Sequence, residues 1–374
     1  MAAGLRVAIV HEWLLTHGGS EEITGQLCRL YPQADLFTLI ADPVPSLREL
    51  IGDRRVITSF LQRIPTAKRS HRRLLPLMPR AIESLDVSGY DLVISVSHAV
   101  AKGVRTAPGQ PHLSIVCSPM RYAWDLQEQY LVESGLSSGL KGFLARRLLA
   151  RMRAWDARTA SRPTEIIAIS QFIAERIRRV WGRDSTVVYP PVDTGFFTPS
   201  ATVVREADLY VTASRMVPYK RMPLIVEAFA AMPTRRLVVI GEGPDLARAQ
   251  AVGAPNVTFL GRVGREGMRD WFRRAAAFVF AAEEDFGIVP VEAMACGTPV
   301  IGYGRGGVRE TVPDGDCGVL FESQTVEGIR DAVMRFEADA SMRGADAACR
   351  AQAERFSEAE FLAGVERVVA GMRG

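Results

Sequence analysis

The sequence predicts an α/β protein built from two doubly wound Rossmann-like domains with an interdomain cleft. Two observations carry that expectation. Short apolar runs alternate with amphipathic ones along all 374 residues, the pattern of parallel strands joined by helices on both faces of a sheet. The alternation pauses once, at Tyr189-Pro190-Pro191-Val192-Asp193-Thr194-Gly195-Phe196-Phe197-Thr198-Pro199, which has three prolines and no helical period. That pause reads as a hinge, and the length suits two domains of ordinary size. The expected domains are 1–190 and 200–355, with an amphipathic stretch within 356–374, Ser357–Val369, packing on either one.

Strand candidates in the first half are Leu5–Val10, Leu36–Ile40, Leu92–Ser95, Leu113–Val116 and Ile166–Ile169. In the second half they are Leu209–Ala213, Leu237–Ile240, Val257–Leu260, Phe278–Ala281 and Val300–Gly302. Helical patterns lie between them, as at Met222–Ala231, Arg265–Ala275 and Val326–Phe336. In such sheets ligands bind outside the carboxyl ends of the strands, so the turns that leave the strands are where function is sought.

Composition narrows the class. Hydrophobic residues make up 48% and charged residues 24%, so the chain can bury a large core. No apolar run approaches the roughly 20 residues of a membrane helix, and Met1-Ala2-Ala3-Gly4-Leu5-Arg6 leads straight into a strand with no signal-peptide pattern. Cys28, Cys117, Cys296, Cys317 and Cys349 are scattered, so neither a zinc site nor a disulfide framework is indicated and a cytoplasmic setting is expected. From Arg54 to Ile82 there is no acidic residue, and Arg54, Arg55, Arg63, Lys68, Arg69, Arg72, Arg73 and Arg80 are interleaved with Leu61, Ile64, Leu74, Leu75, Leu77 and Met78. A second basic run, Lys141, Arg146, Arg147, Arg151 and Arg153, lies beside Phe143, Leu144, Leu148 and Leu149. This mixture suits the anionic inner face of a membrane, or else a solvated helix face. Nucleic acid fits less well, because stacking aromatics are sparse.

The most informative stretch is Glu284-Asp285-Phe286-Gly287-Ile288-Val289-Pro290-Val291-Glu292. Ala277–Phe280 reads as a buried strand, Pro290 as the first helical residue and Gly297 as the helix C-cap. The backbone N–H groups near Phe286, Gly287 and Ile288 then open a helix N-terminus, which favours an anion. Glu284 and Glu292 instead accept hydrogen bonds, as sugar hydroxyls require. A phosphate between two polyols describes a nucleotide sugar.

Other strand ends agree. Arg215 and Lys220 follow a strand in Ser214-Arg215-Met216-Val217-Pro218-Tyr219-Lys220, where two cations can neutralise a diphosphate. Gly241-Glu242-Gly243-Pro244 lacks the third glycine of a dinucleotide fingerprint and reads as a tight turn near a nucleobase. Gly18 and Gly19, after the first strand, make a phosphate or sugar loop, with Ser20 as the expected helix cap. Ser170 is expected to cap a helix, and His98 to face the cleft after a strand. Asp314-Gly315-Asp316 has a spacing that can hold a divalent cation but reads as a turn. No metal or other cofactor is expected, because Arg215, Lys220 and the helix end supply the positive charge.

Together these residues resemble the retaining glycosyltransferases of family 4, which have the GT-B fold. The resemblance rests on Glu284 and Glu292 with Phe286-Gly287-Ile288-Val289 between them, on Arg215 and Lys220, and on Gly241-Glu242-Gly243-Pro244. Phe259-Leu260-Gly261-Arg262 and Glu292-Ala293-Met294-Ala295-Cys296-Gly297-Thr298-Pro299-Val300 complete it. It implies that Glu284 holds the donor sugar, Glu292 the ribose, and Arg215 and Lys220 the diphosphate, with Gly18, Gly19, Gly241, Arg262, Phe286, Gly287, Ile288 and Val289 also on the donor side. It also implies that the C-terminal helix crosses back to the first domain.

Cys117-Ser118-Pro119-Met120-Arg121-Tyr122-Ala123-Trp124-Asp125 looks like the subgroup that builds bacterial surface polysaccharides, many of which use GDP-mannose and lipid-linked acceptors. The expected acceptor-side residues are Arg121 and Tyr122. Many relatives carry a histidine where Cys117 stands, so either His98 or Arg121 covers that role here or the role is dispensable. The alternatives to glycosyl transfer are a sugar-nucleotide epimerase of the same fold and a non-catalytic nucleotide-sugar-binding protein.

Overall fold

A computed structural model describes residues 4–125, 127–133 and 135–373. The chain divides into two compact units, Met1–Tyr189 with Phe361–Gly374, and Pro190–Glu360. Among the described residues the first holds seven strands: β1 (Val7–Leu14), β2 (Asp35–Ala41), β3 (Val56–Thr58), β4 (Leu92–Ser97), β5 (His112–Val116), β6 (Glu165–Ala168) and β7 (Thr186–Val187). They form one sheet in the order β3-β2-β1-β4-β5-β6-β7, parallel throughout. The second unit holds β8 (Glu206–Ala213), β9 (Arg236–Ile240), β10 (Val257–Gly261), β11 (Ala275–Phe280), β12 (Val300–Tyr303) and β13 (Gly318–Phe321). Its order is β10-β9-β8-β11-β12-β13, again all parallel. Both are doubly wound sheets whose strand order reverses beside the first strand of the unit.

The central strands are apolar because helices cover both of their faces. β11, Ala-Ala-Ala-Phe-Val-Phe, is buried at every residue. Helix Met222–Ala230 buries Met222, Ile225, Val226 and Phe229 against β8 and β9 in one contiguous core. β1 is the exception in composition: it is buried at every residue but the half-buried Trp13, yet carries His11 and Glu12, both fully buried.

Several expectations are corrected. β1 does not end at Val10 but runs to Leu14, so His11–Leu14 are strand rather than loop. Polar side chains broke the apolar run there without breaking the ladder to β2 and β4. β3, β7 and β13 were not expected as strands. The first two are sheet edges of three and two residues, too short to show a period, and β13, four residues long, follows the Asp314-Gly315-Asp316 turn. Ser20 does not cap helix Gly19–Leu30. Gly18 is the N-cap, and the Ser20 hydroxyl donates to Glu21 Oε2 at 2.9 Å. Ser170 does cap Gln171–Trp181, accepting from Ile173 N at 3.1 Å.

Residues 190–199, read as a hinge, are fastened into the second unit. Arg350 Nη1 donates to Thr194 O at 2.9 Å and Phe197 O at 2.7 Å, and Thr194 Oγ1 donates to Glu354 at 2.9 Å. A distant arginine thus satisfies carbonyls that the segment's own N–H groups do not. The terminal helix is Glu358–Gly371, and its residues from Phe361 onward belong to the first unit.

Part of the first basic stretch is likewise structural. The Arg54 guanidinium donates to the carbonyls of Cys28 (2.6 Å), Pro32 (2.8 Å) and Tyr31 (3.2 Å) at the end of helix Gly19–Leu30. Arg63, Arg69, Arg72, Arg73 and Arg80 are exposed. Helix Gly139–Thr159 exposes Leu140, Phe143 and Leu144 (74%, 54% and 57%) beside exposed Lys141, Arg147 and Arg151. No helix among the described residues is long and apolar enough to cross a membrane.

Candidate active site

In the second unit the strand order reverses between β8 and β11, and both strands send their carboxyl ends into the candidate residues. From β8 the chain passes through Ser214–Val217 into a short 3-10 turn, Pro218–Lys220. Arg221 follows with φ +56°, the one non-glycine residue among those described with a positive φ. It turns the chain into helix Met222–Ala230. From β11 the chain reaches Glu284. Lys220 Nζ and Glu284 Oε1 form an ion pair, with side chains 15% and 16% exposed. The two residues assigned to diphosphate and sugar therefore meet at the switch point.

The Glu284 backbone is held from its other side. Glu284 bridges to Gly306, and Gly307 N donates to Glu284 O at 2.8 Å. A Cβ on Gly306 would lie 2.3 Å from Glu284 O, and one on Gly307 2.3 Å from the Phe286 Cα. Only glycines admit this approach. The sequence reading passed over Gly304-Arg305-Gly306-Gly307, and its signal was the three glycines in four residues after β12.

Helix Ile288–Ala295 begins two residues before Pro290, with Gly287 (φ +89°) as N-cap. The absent N–H of Pro290 does no harm, since the first four helical N–H groups lack intrahelical acceptors. Glu292 is half-buried one turn beyond Ile288 and on the same face. Phe286 is buried and packs edge-on against Phe356 at 5.5 Å, so it offers backbone rather than ring. Ile288 and Val289 are half-buried, and Gly297 (φ +81°) follows the C-cap Cys296.

The Gly241-Glu242-Gly243 turn lies against the segment that carries Arg215. Ser214 N donates to Ile240 O (3.0 Å) and Met216 N to Glu242 O (2.9 Å). A Cβ at Gly241 (φ +129°) would stand 1.9 Å from Ser214 O. This glycine positions the loop of Arg215, which is exposed. Arg262, also exposed, leaves the edge strand β10, two strands from β8. Asp314 Oδ1 accepts from Leu320 N at 2.8 Å and closes a turn.

In the first unit the switch point lies between β1 and β4. Gly18 and Gly19 open helix Gly19–Leu30, whose first turn carries Glu21 and Glu22. These acids already complement the helix dipole, so the loop suits hydroxyl groups better than a phosphate. His98 directly follows β4. Its Nδ1 lies 3.1 Å from Glu12 Oε2, and its side chain is 28% exposed. Glu12 Oε1 accepts from the backbone N–H groups of His98 (3.0 Å), Ala99 (2.8 Å), Val100 (3.0 Å) and Ala101 (3.1 Å), and from the Ser97 hydroxyl (3.2 Å). His11 sits beside them between Glu21 Oε1 (3.3 Å) and Thr24 Oγ1 (3.2 Å).

Burial alone would push the Glu12 carboxyl up. The His98 and His11 imidazoles and the Ala101 N–H more than reverse that and hold it well below the usual carboxylate range. Burial would lower His98, and the Glu12 and Glu21 carboxylates outweigh it, so His98 is raised above an ordinary histidine. Sequence reasoning found His98 and missed Glu12, which looked like part of a loop.

Arg121 and Tyr122 are half-buried beyond β5. Burial pushes the Tyr122 phenol up, and its ring meets Tyr130 edge-on at 6.1 Å. Cys117 N donates to Ser97 O at 2.8 Å, which places Cys117 beside the start of the His98 turn.

Residues 17–196 match the model of "Glycosyltransferase Family 4", and residues 200–355 match that of "Glycosyl transferases group 1". The chain belongs to the family 4 glycosyltransferases. Among curated relatives, this family 4 chain is 34% identical over 184 residues to the D-inositol 3-phosphate glycosyltransferase of Kribbella flavida, covering 42% of this chain and 43% of the relative. It is 30% identical over 215 residues to the GDP-mannose-dependent monoacylated alpha-(1-6)-phosphatidylinositol monomannoside mannosyltransferase of Corynebacterium glutamicum, covering 50% and 56%. The family 4 chain thus spans about half the length of the curated relatives it matches. Similar solved structures include Anabaena HepE in complex with UDP and glucose (TM-score 0.70, 18% identity, 98% of this chain and 99% of that one). Sucrose-phosphate synthase from Thermosynechococcus elongatus is another (TM-score 0.75, 19% identity, 98% and 99%). At these identities the likeness shows the fold, GT-B.

Proposed function

We propose that the chain transfers a sugar, with retention, from a nucleotide diphosphate sugar to a lipid-linked or other glycan acceptor in surface polysaccharide synthesis. GDP-mannose is the favoured donor. The observation that carries the reading is the Lys220–Glu284 ion pair at the β8/β11 switch point, beside the helix that bears Glu292. Lys220, Arg215 and the helix N-terminus stabilise the departing diphosphate, so the reaction asks for no metal ion. Glu284 orients the sugar, whose transition state is oxocarbenium-like, and Glu292 accepts from the ribose hydroxyls. The leaving phosphate takes the acceptor's proton. No covalent sugar–enzyme bond is involved.

The donor preference draws support from the relative named GDP-mannose-dependent. The complexes named with UDP make uridine donors the second reading. A thermal-shift panel of GDP- and UDP-sugars separates the two, because a ligand at 100 times its dissociation constant adds about 2.7 kcal/mol to stability. Release of nucleotide diphosphate that depends on an acceptor supports transfer. Donor conversion without an acceptor marks an epimerase, and binding with no release marks a sensor.

In this reading the chain works at the cytoplasmic face of an anionic membrane. Exposed Arg69, Arg72 and Arg73, and exposed Phe143 and Leu144 beside Lys141, support that placement. Liposome flotation that does not weaken when Arg69, Arg72 and Arg73 are neutralised refutes it.

A further inference from the structure

Glu12 occupies a place where the sheet has no need of a charge. It lies within β1, fully buried, in a strand covered on both faces. A buried carboxylate persists only where its lone pairs are met. Here four backbone N–H groups and a hydroxyl converge on Oε1, which leaves Oε2 to face a single group, the His98 imidazole.

We infer that Glu12 is a positioning residue for glycosyl transfer: it holds His98 as an imidazolium whose Nε2 donates a hydrogen bond to a negatively charged oxygen of the reacting substrates. This rests on the transfer reading above and deepens it. The Nδ1 atom is buried against Glu12 while 28% of the side chain meets solvent, which leaves Nε2 as the ring nitrogen open to a ligand. The ring is also fixed in plane. Trp13 meets it edge-on at 4.8 Å and 84°, and His11 lies 6.0 Å away. A clamped ring with one nitrogen on a carboxylate is pre-organised to donate from the other.

The charges around His98 come from every packed element. β1 contributes Glu12 and His11, and helix Gly19–Leu30 contributes Glu21. The loop after β5 contributes Arg121, and the turn His71–Leu77 contributes His71, whose ring meets the same Trp13 at 4.9 Å. Arg121 and His71 oppose the imidazolium. Glu12 is in direct contact and prevails. The pair stands at the carboxyl ends of β1 and β4, at the switch point where this sheet type receives ligands. His98 thereby supplies a cationic donor next to Cys117, a residue unable to be one.

The test uses Glu12→Gln in the full chain, which keeps an acceptor for the N–H cluster and removes the charge. Histidine-selective NMR, with His98 assigned through His98→Gln, reads the imidazole directly. The expected result is a His98 titration that moves down by about one pH unit or more in Glu12→Gln. The basic limb of the kcat/KM profile for acceptor-dependent nucleotide release moves down with it. An unmoved His98 titration shows Glu12 to be a mere cap and overturns the inference. A moved titration with an unmoved rate profile overturns the role in transfer while leaving transfer itself intact. A wild-type chain that releases no nucleotide diphosphate overturns both. If Glu12→Gln does not fold, His98→Gln carries the test, since Glu12 stays in its nest. The basic limb should then vanish, and a retained limb overturns the role.

Discussion

Lys102→Met should unfold the first unit far more easily than its single lost charge suggests. Lys102 and Asp156 are 1% and 0% exposed and paired at 2.9 Å. Lys102 Nζ also donates to Asp156 O (2.8 Å) and Thr159 Oγ1 (2.9 Å), and stands 4.6 Å from the Trp181 ring centre. Burial works to lower the Lys102 ammonium and does so despite Asp156. Asp156 Oδ2 accepts from the indoles of Trp124 and Trp181, each at 2.8 Å. Methionine fills similar space, so no cavity arises and the electrostatic loss stands alone. Removing one partner of a buried pair costs about 3–5 kcal/mol, because the other charge is stranded. With a urea slope of about 2 kcal/mol/M, the midpoint should fall by about 1.5–2.5 M. Tryptophan fluorescence reports this event, since Trp124, Trp155 and Trp181 all line the pair. The double variant Lys102→Met/Asp156→Asn keeps an acceptor for both indoles and strands no charge. It should recover about 2 kcal/mol or more relative to the sum of the singles. A single variant that loses under about 1 kcal/mol, or a double variant that is merely additive, refutes the stranded-charge argument.

Glu284→Ala and Glu292→Ala should each lower kcat/KM about 10- to 150-fold, from the loss of charge-assisted hydrogen bonds of about 1.5–3 kcal/mol. Unchanged nucleotide affinity in Glu292→Ala, measured by calorimetry, refutes the ribose assignment. Gly241→Ala forces a Cβ to within 1.9 Å of Ser214 O at φ +129°. Strain of at least about 1–3 kcal/mol should appear as a lower melting temperature together with weaker nucleotide binding, as the Arg215 loop shifts. The raised His98 should make the Glu12–His98 pair pH-dependent. Its stabilisation is complete below the unfolded value of about 6.5 and is lost as pH rises through the raised folded value. The melting-temperature gap between wild type and His98→Gln should therefore be wider at pH 6 than at pH 9, and a constant gap contradicts the pairing.

The sequence alone determined what repeats locally. Apolar runs bounded by turn residues located ten of the thirteen strands among the described residues, and Glu284 and Glu292 marked the start of a helix because their spacing is set within one segment. Tertiary structure decided which distant groups meet. Lys220 closes on Glu284, and Gly306 and Gly307 give the clearance that holds Glu284 in place. Arg54 and Arg350 spend their charge on carbonyls far along the chain. Glu12, hidden in a strand, finds N–H groups 86 to 89 residues away. Periodicity is a property of neighbours and survives in a linear string. A hydrogen bond across a switch point depends on strand order and register, which the core fixes only once it has formed.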